Sequence, residues 1–125
     1  MRFKYENLEV YQLAKELVPL IYKLLEKFPN TEKFGLINQG KRAIISVILN
    51  IAEGSSRHTD RDFSGFINRS ITSLQEVDTV LKAGIVLKYI TDEDYKIVES
   101  KIEKLYFKLI ALDKKLRGGH DAKNR

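Results

Sequence analysis

Two sets of side chains in this sequence have the types and spacing to do chemistry. The first is a stripe. Gln39, Arg42, Ser46, Asn50, Glu53 and Arg57 follow one another at intervals of three or four residues, which puts them on one face of a helix. Arg69, Ser73 and Glu76 repeat that spacing further along. Carboxylates on neighbouring helices are how a di-iron bundle begins, but such a site also takes Glu-x-x-His repeats. Neither histidine, His58 or His120, has a glutamate three residues before it. The chain has no cysteine, which excludes thiolate metal sites, disulfides and a cysteine nucleophile. No histidine lies on a helical face near a serine. Gly35, Gly40, Gly54, Gly65 and Gly84 stand singly and form no phosphate-cradling loop; they read as points where helices come close. No catalytic residue, metal or cofactor is therefore expected, and the chain reads as not an enzyme.

The structural reading of the stripe is a polar seam. Two antiparallel helices joined near residue 58 would pair Arg42 with Glu76, Ser46 with Ser73 and Glu53 with Arg69. Gln39 and Asn50 complete the line. If the seam is buried, removing one partner of a charged pair costs about 3–5 kcal/mol, so Arg42→Ala or Glu76→Ala would loosen the protein.

The second set is basic. Arg57, Arg61 and Arg69 cluster around the same turn with His58, diluted by Asp60 and Asp62. Lys114, Lys115 and Arg117 open a C-terminal stretch, 114–125, with five basic residues and one acid. That leaves 17 basic against 16 acidic residues in 1–113, so most of the net charge of +5 sits in the tail. Clustered Lys and Arg contact phosphates without needing a sequence motif. Arg57, Arg61, Lys114, Lys115 and Arg117 are the candidate nucleic-acid contacts. Lys96, Lys101, Lys104 and Lys108 alternate with Glu99 and Glu103, the pattern of a solvated helix face. No aromatic platform for base stacking is legible.

Four helical segments must position these groups. Apolar residues recur at three and four. Leu8, Tyr11, Ala14, Leu17, Ile21, Leu24 and Phe28 make the first face, with Pro19 inside it and Pro29 at its end. Thr31 is the expected cap of a second helix running to about Ser56. Thr59 and Thr91 each precede acids in a first turn, two further start signals. Phe63, Phe66, Ile67, Ile71, Leu74, Val77 and Leu81 line the third helix; Tyr95, Val98, Ile102, Leu105, Leu109, Leu112 and Leu116 line the fourth. Short connections give an all-α, antiparallel up-down four-helix bundle over 1–116, followed by a basic, disordered tail at 117–125. In residues 43–52 only Ser46 and Asn50 are not apolar. A helix apolar nearly all round is covered nearly all round, so the second helix is expected to meet another subunit.

With 43% hydrophobic and 31% charged residues, the composition is that of a folded globular domain. No run approaches the roughly 20 apolar residues of a membrane span, and no apolar signal region follows Met1, Arg2 and Lys4. A cytoplasmic protein without membrane partners is expected.

Several of these pieces resemble a known family. They are Phe3…Asn7-Leu8-Glu9-Val10-Tyr11, then Phe28-Pro29…Phe34-Gly35-Leu36…Gln39, then Arg42-Ala43…Ser46…Asn50-Ile51-Ala52-Glu53-Gly54, then Phe63…Phe66 and Ser73…Glu76. Over about residues 3–116 the chain resembles the four-helix-bundle proteins encoded in intervening sequences of bacterial large-subunit ribosomal RNA genes. The accessory proteins of diversity-generating retroelements are related to that family. The resemblance implies a homopentamer, a basic surface that binds nucleic acid and, in the retroelement branch, a reverse transcriptase partner. The resulting expectation is a non-enzymatic oligomeric bundle that binds RNA or DNA, as an accessory factor. The competing expectation is an oligomeric scaffold for protein partners that binds no nucleic acid.

Overall fold

The structure, a computed structural model, describes the backbone of residues 3–123 and the side chains of 3–118. Of the tail charges, the side chain of Lys123 and all of Arg125 lie outside the described residues, as does Arg2. Four helices form: α1 over Glu9–Leu25, α2 over Leu36–Ser55, α3 over Asp60–Val86 and α4 over Asp92–Lys123. No strand occurs among the described residues, and none of their helices is long and apolar enough to cross a membrane. The result is an all-α helical bundle, as the 3.6-residue periodicity requires.

One core joins all four helices. Leu17, Ile21 and Leu25 of α1 meet Ile44, Val47 and Ile51 of α2, Ile67, Leu74 and Leu81 of α3, and Leu105 and Leu109 of α4, all at least 99% buried. Fully burying one such side chain contributes roughly 1.5–3 kcal/mol. Pro19 lies within α1 on its exposed side, and the helix runs on through it.

Two of the three expected caps are present. Thr59 Oγ1 accepts from the backbone N–H of Asp62 at 3.1 Å. Thr91 Oγ1 accepts from Asp94 N at 3.1 Å while Asp94 Oδ2 accepts from Thr91 N at 2.9 Å, a reciprocal box that satisfies two helix-end donors. Lys27 ties that same carboxylate to the end of α1 at 2.7 Å. Thr31 is a correction. It lies in a short 3-10 turn, Asn30–Glu32, and α2 begins only at Leu36. Glu32 reaches its first turn instead, its Oε1 accepting from Leu36 N at 3.2 Å. The three residues between the turn and α2 move the true start out of reach of Thr31. At the other end, α4 passes residue 116, where the bundle was expected to give way to a tail, and continues through Gly118 to Lys123.

Glycine sets how closely α2 and α3 approach. A Cβ at Gly54 would lie 2.8 Å from Phe66 Cβ and 2.9 Å from Phe63 Cδ1. Gly65, exposed on α3, has nothing within 4 Å of where its Cβ would stand. Gly54→Ala should therefore cost about 1–3 kcal/mol through overpacking, while Gly65→Ala should stabilise α3 by about 0.5–1 kcal/mol; urea unfolding of both variants checks the opposite signs.

The Asp94 carboxyl is held below the usual range, first by the Lys27 ammonium and then by the Thr91 N–H. A lowered folded pKa gives stability that is present above the unfolded value, about 3.9, and is lost as the pH falls through the folded one. Asp94→Ala should lower Tm at neutral pH, and the gap to the parent should close in acid below that unfolded value.

Candidate nucleic-acid interface

Arg57 follows the end of α2, and its guanidinium lies 4.5 Å from the centre of the Phe66 ring on α3. Arg69, one turn further along α3, lies 4.8 Å from the same ring. One half-buried aromatic thus carries two cations, each gaining from the ring's electron-rich face. Arg57 is also 3.9 Å from Glu53 Oε2, at the outer limit of an ion pair. Arg61 is exposed in the first turn of α3 and makes no ion pair among the described residues.

The remaining candidates lie near the end of α4, and a buried carboxylate sets where that end lies. Asp113 is 5% exposed. Its Oδ1 accepts from Ser64 Oγ at 2.5 Å and from Asn68 Nδ2 at 2.9 Å. Its Oδ2 accepts from Arg117 Nε at 2.9 Å. A buried carboxylate is tolerated only when its lone pairs are filled in this way. Because Ser64 belongs to the second turn of α3, the joint brings Lys114, Lys115 and Arg117 to the end of the bundle that holds Arg57 and Arg61. Lys114 and Lys115 are exposed and unpaired among the described residues. Arg117 differs from the expectation of a free phosphate contact: one face of its guanidinium is committed to Asp113.

Sequence reasoning missed this joint. Asp113 interrupts the apolar line Leu105, Leu109, Leu116 at core spacing, and Ser64 and Asn68 stand four apart on α3. An acid on a core face opposite a paired hydroxyl and amide was the signal available. Phe66 sits at core spacing in the sequence; its role as a platform depends on one arginine from the turn after α2 and one from α3.

The seam divides into a formed centre and open ends. Ser46 Oγ and Ser73 Oγ are 2.9 Å apart. Asn50 Nδ2 donates to the Ser46 carbonyl at 2.8 Å and to Ser46 Oγ at 3.0 Å. Ser70 adds a fully buried bond to the Val47 carbonyl at 2.8 Å. The charged pairs are corrections. Arg42 and Glu76 are exposed and form no ion pair among the described residues, and Arg69 rests on Phe66 rather than on Glu53. In water an ion pair between two long side chains barely offsets their lost freedom, so nothing fixes them. Gln39, Arg42 and Glu76 border an open cavity of about 370 Å³ instead.

Among the described residues no cluster of His, Cys, Asp and Glu is arranged to hold a metal ion. The fold and this surface define a helical bundle that gathers Arg57, Arg61, Lys114 and Lys115 at one end, with the acids Glu53, Asp60 and Asp62 among them. The chain belongs to the family described as 23S rRNA-intervening sequence protein, whose model matches residues 6–111. No curated protein matches the chain.

Three variants separate the joint from the seam ends. Asp113→Ala, which strands Ser64 and removes all three bonds to a charged acceptor, should cost about 1–3 kcal/mol. Arg42→Ala and Glu76→Ala, both at exposed positions, should each stay within about 0.5 kcal/mol of the parent. Urea titrations of the three proteins test this.

Proposed function

We propose that this protein is a non-enzymatic, up-down bundle that assembles with copies of itself and binds nucleic acid through its basic end. The observation that carries the binding is the Ser64–Asp113 contact, which gathers Arg57, Arg61, Lys114 and Lys115 at one end of the molecule. Each lysine or arginine that neutralises a phosphate releases counterions, so affinity follows charge and falls with salt.

The assembly reading is supported by α2. Leu49 is 55% exposed and Ile45 is only partly covered, beside Arg42 on the flank away from Ser73. A second copy laid along that flank supplies the cover that the apolar segment lacks. The family resemblance points to five copies. Several copies around an axis would multiply a modest basic patch by raising effective concentration.

One observation favours the competing reading of a protein scaffold. Phe34 is 88%, Val86 79% and Leu87 49% exposed, near the start of α2 and the end of α3, and a contiguous apolar patch there would mark a protein contact site.

Light scattering with and without RNA, at low and high salt, tests the proposal. The expected result is one oligomeric mass, with RNA bound at low salt and released at high salt. Replacing Arg61, Lys114 and Lys115 by alanine should leave the mass unchanged and flatten the salt slope by about 0.7–0.9 per lost phosphate contact. A monomer overturns the assembly reading. An oligomer that ignores RNA at every salt concentration overturns the nucleic-acid reading and leaves the scaffold.

A further inference from the structure

The open part of the polar stripe has a shape. The cavity of about 370 Å³ beside Arg42 and a second of about 450 Å³ beside Arg69 both include Ser46 and Ser73. Together they form one groove along the line where α2 meets α3. Asn38, Gln39, Arg42 and Glu76 border its first lobe; Asn50, Asn68, Arg69 and Thr72 border its second. The Ser46–Ser73 hydrogen bond lies between them.

The bonding capacity of this groove is largely unspent. Among the described residues the side chains of Gln39, Arg42 and Glu76 make no hydrogen bond or ion pair, and the guanidinium of Arg69 makes none either and lies over the Phe66 ring. Asn50 spends its amide N–H group on Ser46, which leaves its amide oxygen as an acceptor. At one mouth Phe66 holds Arg57 and Arg69 in place, so little side-chain freedom is lost when they take up anions. That mouth adjoins the basic end. A groove with cations at one mouth, amides and hydroxyls along its length, and one arginine and one carboxylate, Arg42 and Glu76, bordering its first lobe suits a polyanion that also offers hydrogen-bonding edges.

Resting on the nucleic-acid reading above, we propose that the groove receives a single strand of nucleic acid. Arg57 and Arg69 take phosphates, and Gln39 and Asn50 contact the edges of unpaired bases. A duplex hides those edges, whereas a single strand turns them outward. Contacts to phosphate alone are indifferent to the bases, so the groove and the basic end make different demands on the ligand.

Fluorescence anisotropy with the full chain at one fixed salt concentration separates them. The probes are a labelled single-stranded RNA, the DNA of the same sequence, their duplexes, and a strand carrying abasic sites. Gln39→Ala and Arg69→Gln change exposed side chains and keep the fold; Asn50→Ala is a third variant, checked by its helical circular dichroism. The expected result is a loss of roughly tenfold for the intact single strands in each groove variant, with duplex binding nearly unchanged and the abasic strand weak for the parent. Tighter RNA than DNA would assign part of the contact to the 2′-hydroxyl, and equal binding would assign it to bases and phosphates; both support the groove. The inference is overturned while the basic-end reading stands if groove variants bind every probe as the parent does and the Arg61, Lys114 and Lys115 variant does not. It is also overturned if the groove variants change the oligomeric mass, which would make the groove a contact between copies. If the parent binds no probe, the inference and the broader reading fall together.

Discussion

The close approach of α2 to α3 is the constraint on which the rest of the molecule depends. It is possible because Gly54 has no side chain where Phe63 and Phe66 press against α2. Its register is then set by directional bonds. The buried Ser70 hydroxyl reaches the Val47 carbonyl, and Ser46 meets Ser73. Apolar packing alone fixes such a register weakly, because one layer of leucine and isoleucine resembles the next. A buried hydroxyl has few acceptors within reach, and leaving it unpaired costs about 1–3 kcal/mol. These few bonds therefore select one alignment among several of similar burial.

From that alignment the functional surface follows. It places Phe66 under both Arg57, from the turn after α2, and Arg69 of α3. It presents Ser64 and Asn68 to Asp113, and so decides which end of the bundle receives the last turns of α4. In a body whose charge is near neutrality, the fold brings Arg57, Arg61, Lys114 and Lys115 to one end, where Glu53, Asp60 and Asp62 also lie.

What could be read in advance was whatever depends on local chemistry. Thr59 and Thr91 announce helix starts because a cap needs only the residues that follow it. Ser46 opposite Ser73 was readable because two helices and a short turn leave little choice of partner. Thr31 misled, since nothing in its neighbourhood reveals that a 3-10 turn precedes α2. The charged ends of the seam misled for another reason. Spacing shows that Arg42 can meet Glu76, but exposure decides whether it does, and exposure belongs to the whole fold. Asp113 escaped because its partners on α3 lie 45 and 49 residues away. The ring shared by two arginines lies close to both in sequence, but Arg57 reaches it only through the path of the turn between α2 and α3, which spacing does not show.

The central claim is that the end of α4 lies beside the start of α3 and joins their basic side chains into one surface. The chain has no cysteine, so Arg61→Cys with Lys114→Cys carries two spin labels and no others. Electron–electron distance measurement within one labelled chain, diluted into unlabelled protein, reads the separation directly. The account predicts one narrow, short population, set by the roughly 8–10 Å between packed helix axes plus the label arms. A broad distribution, or a distance approaching the length of α3, about 40 Å for its 27 residues, would contradict it.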